Sequence, residues 1–238
     1  MEIDLDNEFL KVPLNRKYMH IYIVRNSILK QIIKTLPLFK GKLLDIGCGH
    51  KPYRSVFLSS QSKVTEYIGM DMCDNRMYDN KPEICWDGNK IPLPENSIDC
   101  AVATEVLEHC PYPDKLLIEA YRVLKPGGVL LVTVPFFWML HEVPYDEYRY
   151  TPFSLKRHME NSRFSVHELS ALGGWNASMA QMMANWMSFG INNIRIKRLV
   201  KMFLFPVFKI LLKNDKIPAN FATGQMITGL SCVAIKQP

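Results

Sequence analysis

Apolar residues follow two rhythms along this chain. Between residues 17 and 36, Tyr18, Ile21, Tyr22, Ile28, Leu29, Ile32, Ile33 and Leu36 recur mostly at helical spacing, which predicts an N-terminal helix ending before Pro37. Short apolar runs of strand length follow: 42–46, Val64 to Met70, Ile84 to Trp86 and Ile98 to Ala103. The turn-rich stretch Pro92 to Asn96 separates the last two. Pro113 to Leu124 returns to helical spacing and stops at Lys125-Pro126-Gly127-Gly128, a strong turn signal. Val129 to Val134 is apolar and mostly β-branched, as in a strand covered on both faces. Ser154 to Asn161 then predicts a helix and Phe164 to Leu169 a strand. Residues 175–213 are largely helical and rich in methionine and aromatics, with a break expected at Pro206. Gln225 to Ile235 reads as a final strand.

Strands alternating with helices predict an α/β fold, with a parallel sheet joined by right-handed crossovers. At 238 residues the chain fits one domain with a late helical insertion. The acidic start, Met-Glu-Ile-Asp-Leu-Asp, has no apolar core of a secretory signal, and no apolar run is long and uncharged enough to span a bilayer. Cys48, Cys73, Cys85, Cys100, Cys110 and Cys232 are scattered without a C-x-x-C pair, which argues against zinc and against a disulfide framework. Cys48 and Cys100 read as small core residues. A cytoplasmic location is the expectation. The net charge of +6 is mild and does not point to nucleic acid. Its excess is uneven, because Arg195, Lys197, Arg198, Lys201, Lys209 and Lys213 share one late segment.

The chemistry centres on Asp45-Ile46-Gly47-Cys48-Gly49, a buried strand end running into a glycine turn. Glycine lets a backbone turn sharply and come close to a ligand. A dinucleotide enzyme wants G-x-G-x-x-G, and here Pro52 stands at the third glycine. The acid ahead of the glycines suits a ligand with an ammonium group, such as S-adenosylmethionine. Asp71, followed by Met72, lies at the end of the next strand, where a carboxylate can accept from a ribose diol or cap a turn. Asp87, followed by Gly88, ends the strand after that and could accept from an adenine amine, or again serve a turn. Three such residues at consecutive strand ends mark the ligand side of an open sheet.

With these segments the chain resembles class I S-adenosylmethionine-dependent methyltransferases, in a type 11-like branch often linked to bacterial glycan biosynthesis. The matching stretches are Leu43 to Gly49, Tyr67 to Asp71, Asp87 with Ile91 to Pro94 and Ser97-Ile98-Asp99, Thr104 to His109, and Arg122 to Gly128. The resemblance covers about residues 40–172 and implies a Rossmann-like sheet of seven strands whose last strand is antiparallel. It divides the chain into an N-terminal helical cap (1–40), a cofactor-binding core (41–172), a helical insertion or lid (173–222) and the last strand (223–238). It implies cofactor contacts at Asp45, Gly47, Cys48, Gly49, Asp71, Met72, Asp87, Gly88, Thr104, Glu105 and His109, and S-adenosylhomocysteine as product. Lys51 stands where many members carry another glycine; a helix can still start there, so the departure implies a change of loop shape and not of cofactor.

Glu105, Glu108 and His109 look like the opening of a helix. Two carboxylates and a histidine could suggest a metal, but acids in a first turn also favour the helix dipole, and no metal is expected. Pro135 to Tyr150 is dense in aromatics and lies at the ligand end of the sheet, where an acceptor should sit. It resembles a His-x-x-Pro-x-Asp-x-x-Arg-Tyr-Thr pattern of the same branch. His141 is the first candidate for a base, with Asp146 to orient it or to serve instead. Arg149 either binds an anionic group or clamps Asp146. Residues 195–213 read as a cover over the acceptor pocket or as a membrane-surface helix with its lysines toward acidic headgroups. O-methylation of a small molecule or of a glycan or its precursor is the leading expectation. N- or C-methylation of another small molecule or a quinone-like lipid is the alternative, and a catalytically silent binding module is the rival from another class.

Overall fold

A computed structural model describes residues 5–72 and 81–237; Cys73 lies outside them. Seven strands form one sheet: β1 (Lys40–Ile46), β2 (Lys63–Met72), β3 (Ile84–Trp86), β4 (Ile98–Thr104), β5 (Leu124–Pro135), β6 (Phe164–Ala171) and β7 (Gly229–Lys236). Their spatial order is β3-β2-β1-β4-β5-β7-β6. The pairs among β1 to β5 are parallel, and β7 runs antiparallel to both β5 and β6. The order reverses between β1 and β4, which opens a crevice beyond their C-terminal ends.

The side-chain alternation of the central strands builds two cores. Leu44, Ile46, Ala101, Ala103, Leu130 and Val132 face one side. There they meet Leu116, Leu117 and Ala120 of helix α3 (Pro113–Val123) and Leu155 and Met159 of α4 (Pro152–Asn161). Leu43, Cys100, Val102 and Leu131 face the other side, against Ile28 and Ile32 of α1 (Met19–Thr35) and Phe57 of the single-turn α2 (Arg54–Phe57). Period two along the strands thus explains why both faces are apolar. Cys48 and Cys100 are buried, as their sequence context suggested.

Three differences from the sequence pattern have local causes. Lys125 to Gly128 forms an excursion inside β5: Ile98 pairs with Leu124, and the next pair is Cys100 with Val129. Gly127 supplies the left-handed turn (φ 76°), and the Lys125 amine holds Asp99 at 2.7 Å. Second, no helix breaks at Pro206. Helix α6 (Ile194–Lys213) runs through it, and the break between helical pieces falls after Gly190 instead. Pro206 is solvent-exposed, so water can serve the carbonyl that its missing N–H leaves free. Third, α6 does not cover the acceptor loop. It packs with α5 (Trp175–Asn185) against the first turns of α1, with Phe208 beside Met19, Ile23 and Ala180. No helix among the described residues is long and apolar enough to cross a membrane.

Candidate active site

The glycine turn is built by hydrogen bonding across the end of β2. Gly47 and Cys48 N–H both donate to the Met70 carbonyl, at 2.8 and 3.0 Å. Gly49 N–H donates to Asp71 Oδ2 at 2.8 Å. Gly47 has φ 68°, and a Cβ there would come within 2.5 Å of Val106 Cγ2, so only glycine fits. Lys51 also adopts a left-handed φ of 56°, which accounts for glycine being common at such a position. Its amine bonds Glu83 Oε1 at 2.6 Å and the Lys81 carbonyl at 2.8 Å, tying the loop to the start of β3.

Asp45 is buried beneath this turn, and its Oδ2 accepts from the Tyr67 hydroxyl. Burial pushes its carboxyl up to about 7, with the Tyr67 hydrogen bond acting the other way. Asp71 Oδ1 accepts from Met72 N–H at 2.7 Å, so Asp71 shapes the glycine loop as well as standing at the strand end. Asp87 is exposed and serves its own turn, accepting from Asn89 and Lys90 N–H at 2.8 and 3.3 Å.

The segment after β4 departs from expectation. Glu105 takes a left-handed φ of 55°, and only a three-residue 3₁₀ turn, Leu107–His109, follows. No α-helix begins here, so the acids are not the solvated first turn of one; α3 starts at Pro113. Glu105 N–H donates to the Thr133 carbonyl at 3.0 Å, and its Oε1 accepts from the Thr133 hydroxyl at 2.9 Å. Glu108 is 0% exposed, and neither of its carboxylate oxygens has a hydrogen-bond partner. Burial raises both glutamates above the usual carboxylate range, Glu108 strongly, with the charge of Glu105 adding to the rise at Glu108.

The aromatic loop after β5 docks onto this segment. Glu147 and Tyr148 N–H donate to the Glu108 carbonyl, at 2.8 and 3.1 Å, and the Tyr150 hydroxyl donates to the Leu107 carbonyl at 2.9 Å. Asp146, its side chain only 2% exposed, accepts two bonds from the Arg149 guanidinium, at 2.6 and 2.8 Å. That pairing holds its carboxyl down to about 2. Arg149 also donates to the Tyr148 and Met139 carbonyls. It is thus engaged as a clamp, and Asp146, saturated by it, is a poor alternative base. Asp146 Oδ2 accepts from His141 N–H at 3.1 Å and lies 3.3 Å from His141 Nδ1. His141 is half-buried; burial, with the charge of nearby His109, keeps its imidazole below the ordinary value.

These loops enclose a narrow cleft of about 160 Å³, smaller than the usual range for ligand sites. Asp45, Gly47, Cys48, Gly49, Thr104, Glu105, His109 and His141 all line it. Asp71 touches it through Gly49, and Asp146 and Arg149 stand behind His141. Met72, Asp87 and Gly88 are not among the lining residues. The cleft also takes Phe9, Ile21, Val24 and Arg25 from the N-terminal region, Tyr53 from the glycine loop, and Trp138 and Glu142 from the aromatic loop, none of which the sequence singled out as site residues. Arg25 stacks on Phe9 at 4.2 Å and acts electrostatically on Glu105. A lone arginine among the apolar positions of a predicted helix was the available signal. The element lining this cleft is therefore α1 and the segment before it, whereas α6 contributes no lining residue.

Comparison with known proteins shows what this chain is similar to. Residues 44–132 match the family model of a methyltransferase domain. A 37.1 kDa protein of a Streptomyces fradiae transposon is 35% identical over 101 residues, 39% of this chain and only 29% of that one. A tRNA (carboxymethyluridine(34)-5-O)-methyltransferase of Schizosaccharomyces pombe is 29% identical over 189 residues, 71% of this chain and 78% of that one. The Haemonchus contortus phosphoethanolamine N-methyltransferase 2, in complex with S-adenosylmethionine, shares the fold at a TM-score of 0.54 and 16% identity, over 100% of this chain and 61% of that one.

Proposed function

We propose, from the premise that residues 44–132 are an S-adenosylmethionine-dependent methyltransferase domain, that the whole chain moves the sulfonium methyl onto a hydroxyl of a small molecule or of a glycan or its precursor. The observation that carries the hydroxyl is His141. It lines the cleft, and its backbone N–H is held by Asp146, which Arg149 fixes in turn. Methyl transfer is an in-line displacement at an activated sulfonium, so an enzyme mainly aligns the partners and excludes water. An amine or an enolised carbon needs little more. A hydroxyl must lose its proton, and an imidazole lining the cleft meets that need. The 5-O-methylating relative supports the same preference. S-adenosylmethionine carrying a labelled methyl, offered to hydroxylic sugars, amines, quinols and tRNA, should label oxygen in the first group. Label found only on nitrogen, on carbon or on tRNA would overturn the assignment.

Within this reading Asp45, the glycine turn, Asp71 and Glu105 hold the cofactor. The ribose diol would meet Asp71 beside Gly49. Asp71→Ala is expected to weaken S-adenosylhomocysteine binding by about 1–3 kcal/mol in calorimetry, the usual worth of hydrogen bonds to a charged group. Unchanged affinity would remove Asp71 from the cofactor set.

A second reading concerns α6. Ile196, Leu199, Phe203, Val207 and Ile210 lie along one face of it and are all exposed, Phe203 by 70%. Arg195 and Lys213 flank that face, and the neighbouring α5 region exposes Trp175, Met179, Met182 and Trp186. Such a face fits the surface of an anionic membrane, where each basic residue contributes about 1 kcal/mol and salt screens it. A lipid-linked acceptor would be brought to the cleft this way. Sedimentation with anionic vesicles is expected at low salt, to fall at high salt, and to be lost in an Arg195/Lys209/Lys213 triple alanine. Protein that stays in the supernatant at low salt would exclude the membrane role.

A further inference from the structure

We propose that Glu108, His109 and His141 form a binding site for a divalent first-row transition-metal cation at the acceptor end of the cleft. The inference rests on the methyl-transfer reading above and replaces direct proton uptake by the His141 imidazole with activation by a cation that His141 helps to hold. One ligand atom from each of the three residues lies within 4.8 Å of the others. Donors about 3.3 Å apart surround a tetrahedral ion with bonds of about 2.0–2.1 Å, so small side-chain rotations close the set.

The strongest independent sign is Glu108. A carboxyl group with no solvent exposure and no hydrogen-bond partner on either oxygen is costly to ionise, and buried carboxylates in native proteins are paired or coordinate metals. The histidines are oriented as ligands are. His109 Nδ1 lies 3.1 Å from the Tyr145 carbonyl, which only a protonated Nδ1 can use. Its Nε2 lone pair is then left facing Glu108 Oε1 at 3.9 Å and Glu142 Oε2 at 3.8 Å. His141 Nδ1 is buried 3.3 Å from Asp146 Oδ2 without a hydrogen bond, so a small ring rotation would complete the carboxylate–histidine arrangement that supports metal-binding imidazoles. The two rings meet edge to face, with centroids 4.7 Å apart. His109, His141 and Glu142 line the cleft while Glu108 lies behind them, which leaves coordination positions open toward an acceptor.

Two imidazoles and one carboxylate favour zinc, manganese, iron(II) or cobalt over magnesium or calcium, which prefer oxygen donors. Bound there, the cation would draw electron density from the acceptor oxygen and ease loss of its proton to water. The oxygen then forms its bond to the methyl carbon as the carbon–sulfur bond breaks. The electron pair goes to sulfur, S-adenosylhomocysteine leaves as a neutral thioether, and the metal keeps its oxidation state.

The test uses the full chain, freed of any histidine tag and stripped with chelator, titrated with cobalt(II) and followed by its visible absorption. One equivalent per chain is expected to give the band of a nitrogen- and oxygen-coordinated ion. Loss of a supporting residue alone typically costs about 10–100-fold in metal affinity, so Asp146→Asn should fall in that range and Glu108→Gln, His109→Ala and His141→Ala at or beyond it. Three separate ligand variants keep the test usable if one of them does not fold. S-adenosylhomocysteine affinity, measured on the same samples, separates the two readings. Wild type that binds S-adenosylhomocysteine but takes up no cobalt overturns the metal site, as does cobalt binding that survives all three ligand variants. Cobalt binding without S-adenosylhomocysteine binding leaves the metal site standing and removes the methyl-transfer reading.

Discussion

His141→Ala is expected to lower methyl transfer about 10²–10⁴-fold, the usual worth of an acid–base group at the reacting centre, while S-adenosylhomocysteine affinity stays near wild type. The split follows from where the residue stands. His141 belongs to the loop after β5 and is fixed by Asp146 and Arg149, whereas the glycine turn and Asp71 are organised by bonds to β2. Removing the imidazole leaves that second network untouched. Asp146→Asn should give a smaller loss through misorientation, because the Arg149 fork pairs best with a charged carboxylate. A His141→Ala enzyme that turns over at wild-type rate on the true acceptor would show that alignment alone drives transfer. An equal loss in cofactor affinity would move His141 to the cofactor end.

Much of the sheet was legible because its strands carry their burial in their composition. Val129 to Val134 is apolar at every position but Thr133, and all of it is buried on two faces. The glycine turn was legible because Gly47 needs both a left-handed backbone and the absence of a Cβ, and few residue types satisfy both. The partnership of Arg122 with the Ile91 to Pro94 stretch also has a physical basis, since its guanidinium donates to the Ile91 and Leu93 carbonyls.

What escaped the sequence depends on contacts distant along the chain. Glu105 and Glu108 are spaced like neighbours on a helix, but the Thr133 backbone captures Glu105 N–H and the chain turns left-handed instead. Periodicity showed that an N-terminal helix exists and could not show that Ile21, Val24 and Arg25 line the cleft. The abundance of apolar residues in α6 suggested a covering role. Its only fully buried side chain is Phe208, so most of that apolar surface faces outward. Proline was read as a break because its local cost is real, yet an exposed helix can bear that cost where water replaces the lost donor.

Asp45→Asn is expected to stabilise the cofactor-free protein above neutral pH, by up to roughly 4 kcal/mol, at the expense of cofactor affinity. Burial raises the folded-state carboxyl of Asp45 to about 7, while in the unfolded chain it ionises near 4, a difference of about three pKa units. Between those values the folded state keeps a proton that the unfolded state has released. The unfolded state binds fewer protons there, so stability falls as pH rises from about 4 to about 7 and is level beyond it. Asparagine has no proton to lose and can still accept from the Tyr67 hydroxyl, so its stability should not follow this fall. The gap between variant and wild type in denaturant unfolding should open across that window and vanish near pH 4. A cofactor ammonium beside Asp45 would favour its ionised form, so saturating S-adenosylhomocysteine should narrow the gap at pH 8 by stabilising wild type more than the variant. Unfolding free energies that run parallel from pH 4 to 8 would mean that Asp45 does not retain its proton in the folded cofactor-free protein. Equal affinity of both proteins for S-adenosylhomocysteine would separate the buried acid from cofactor recognition.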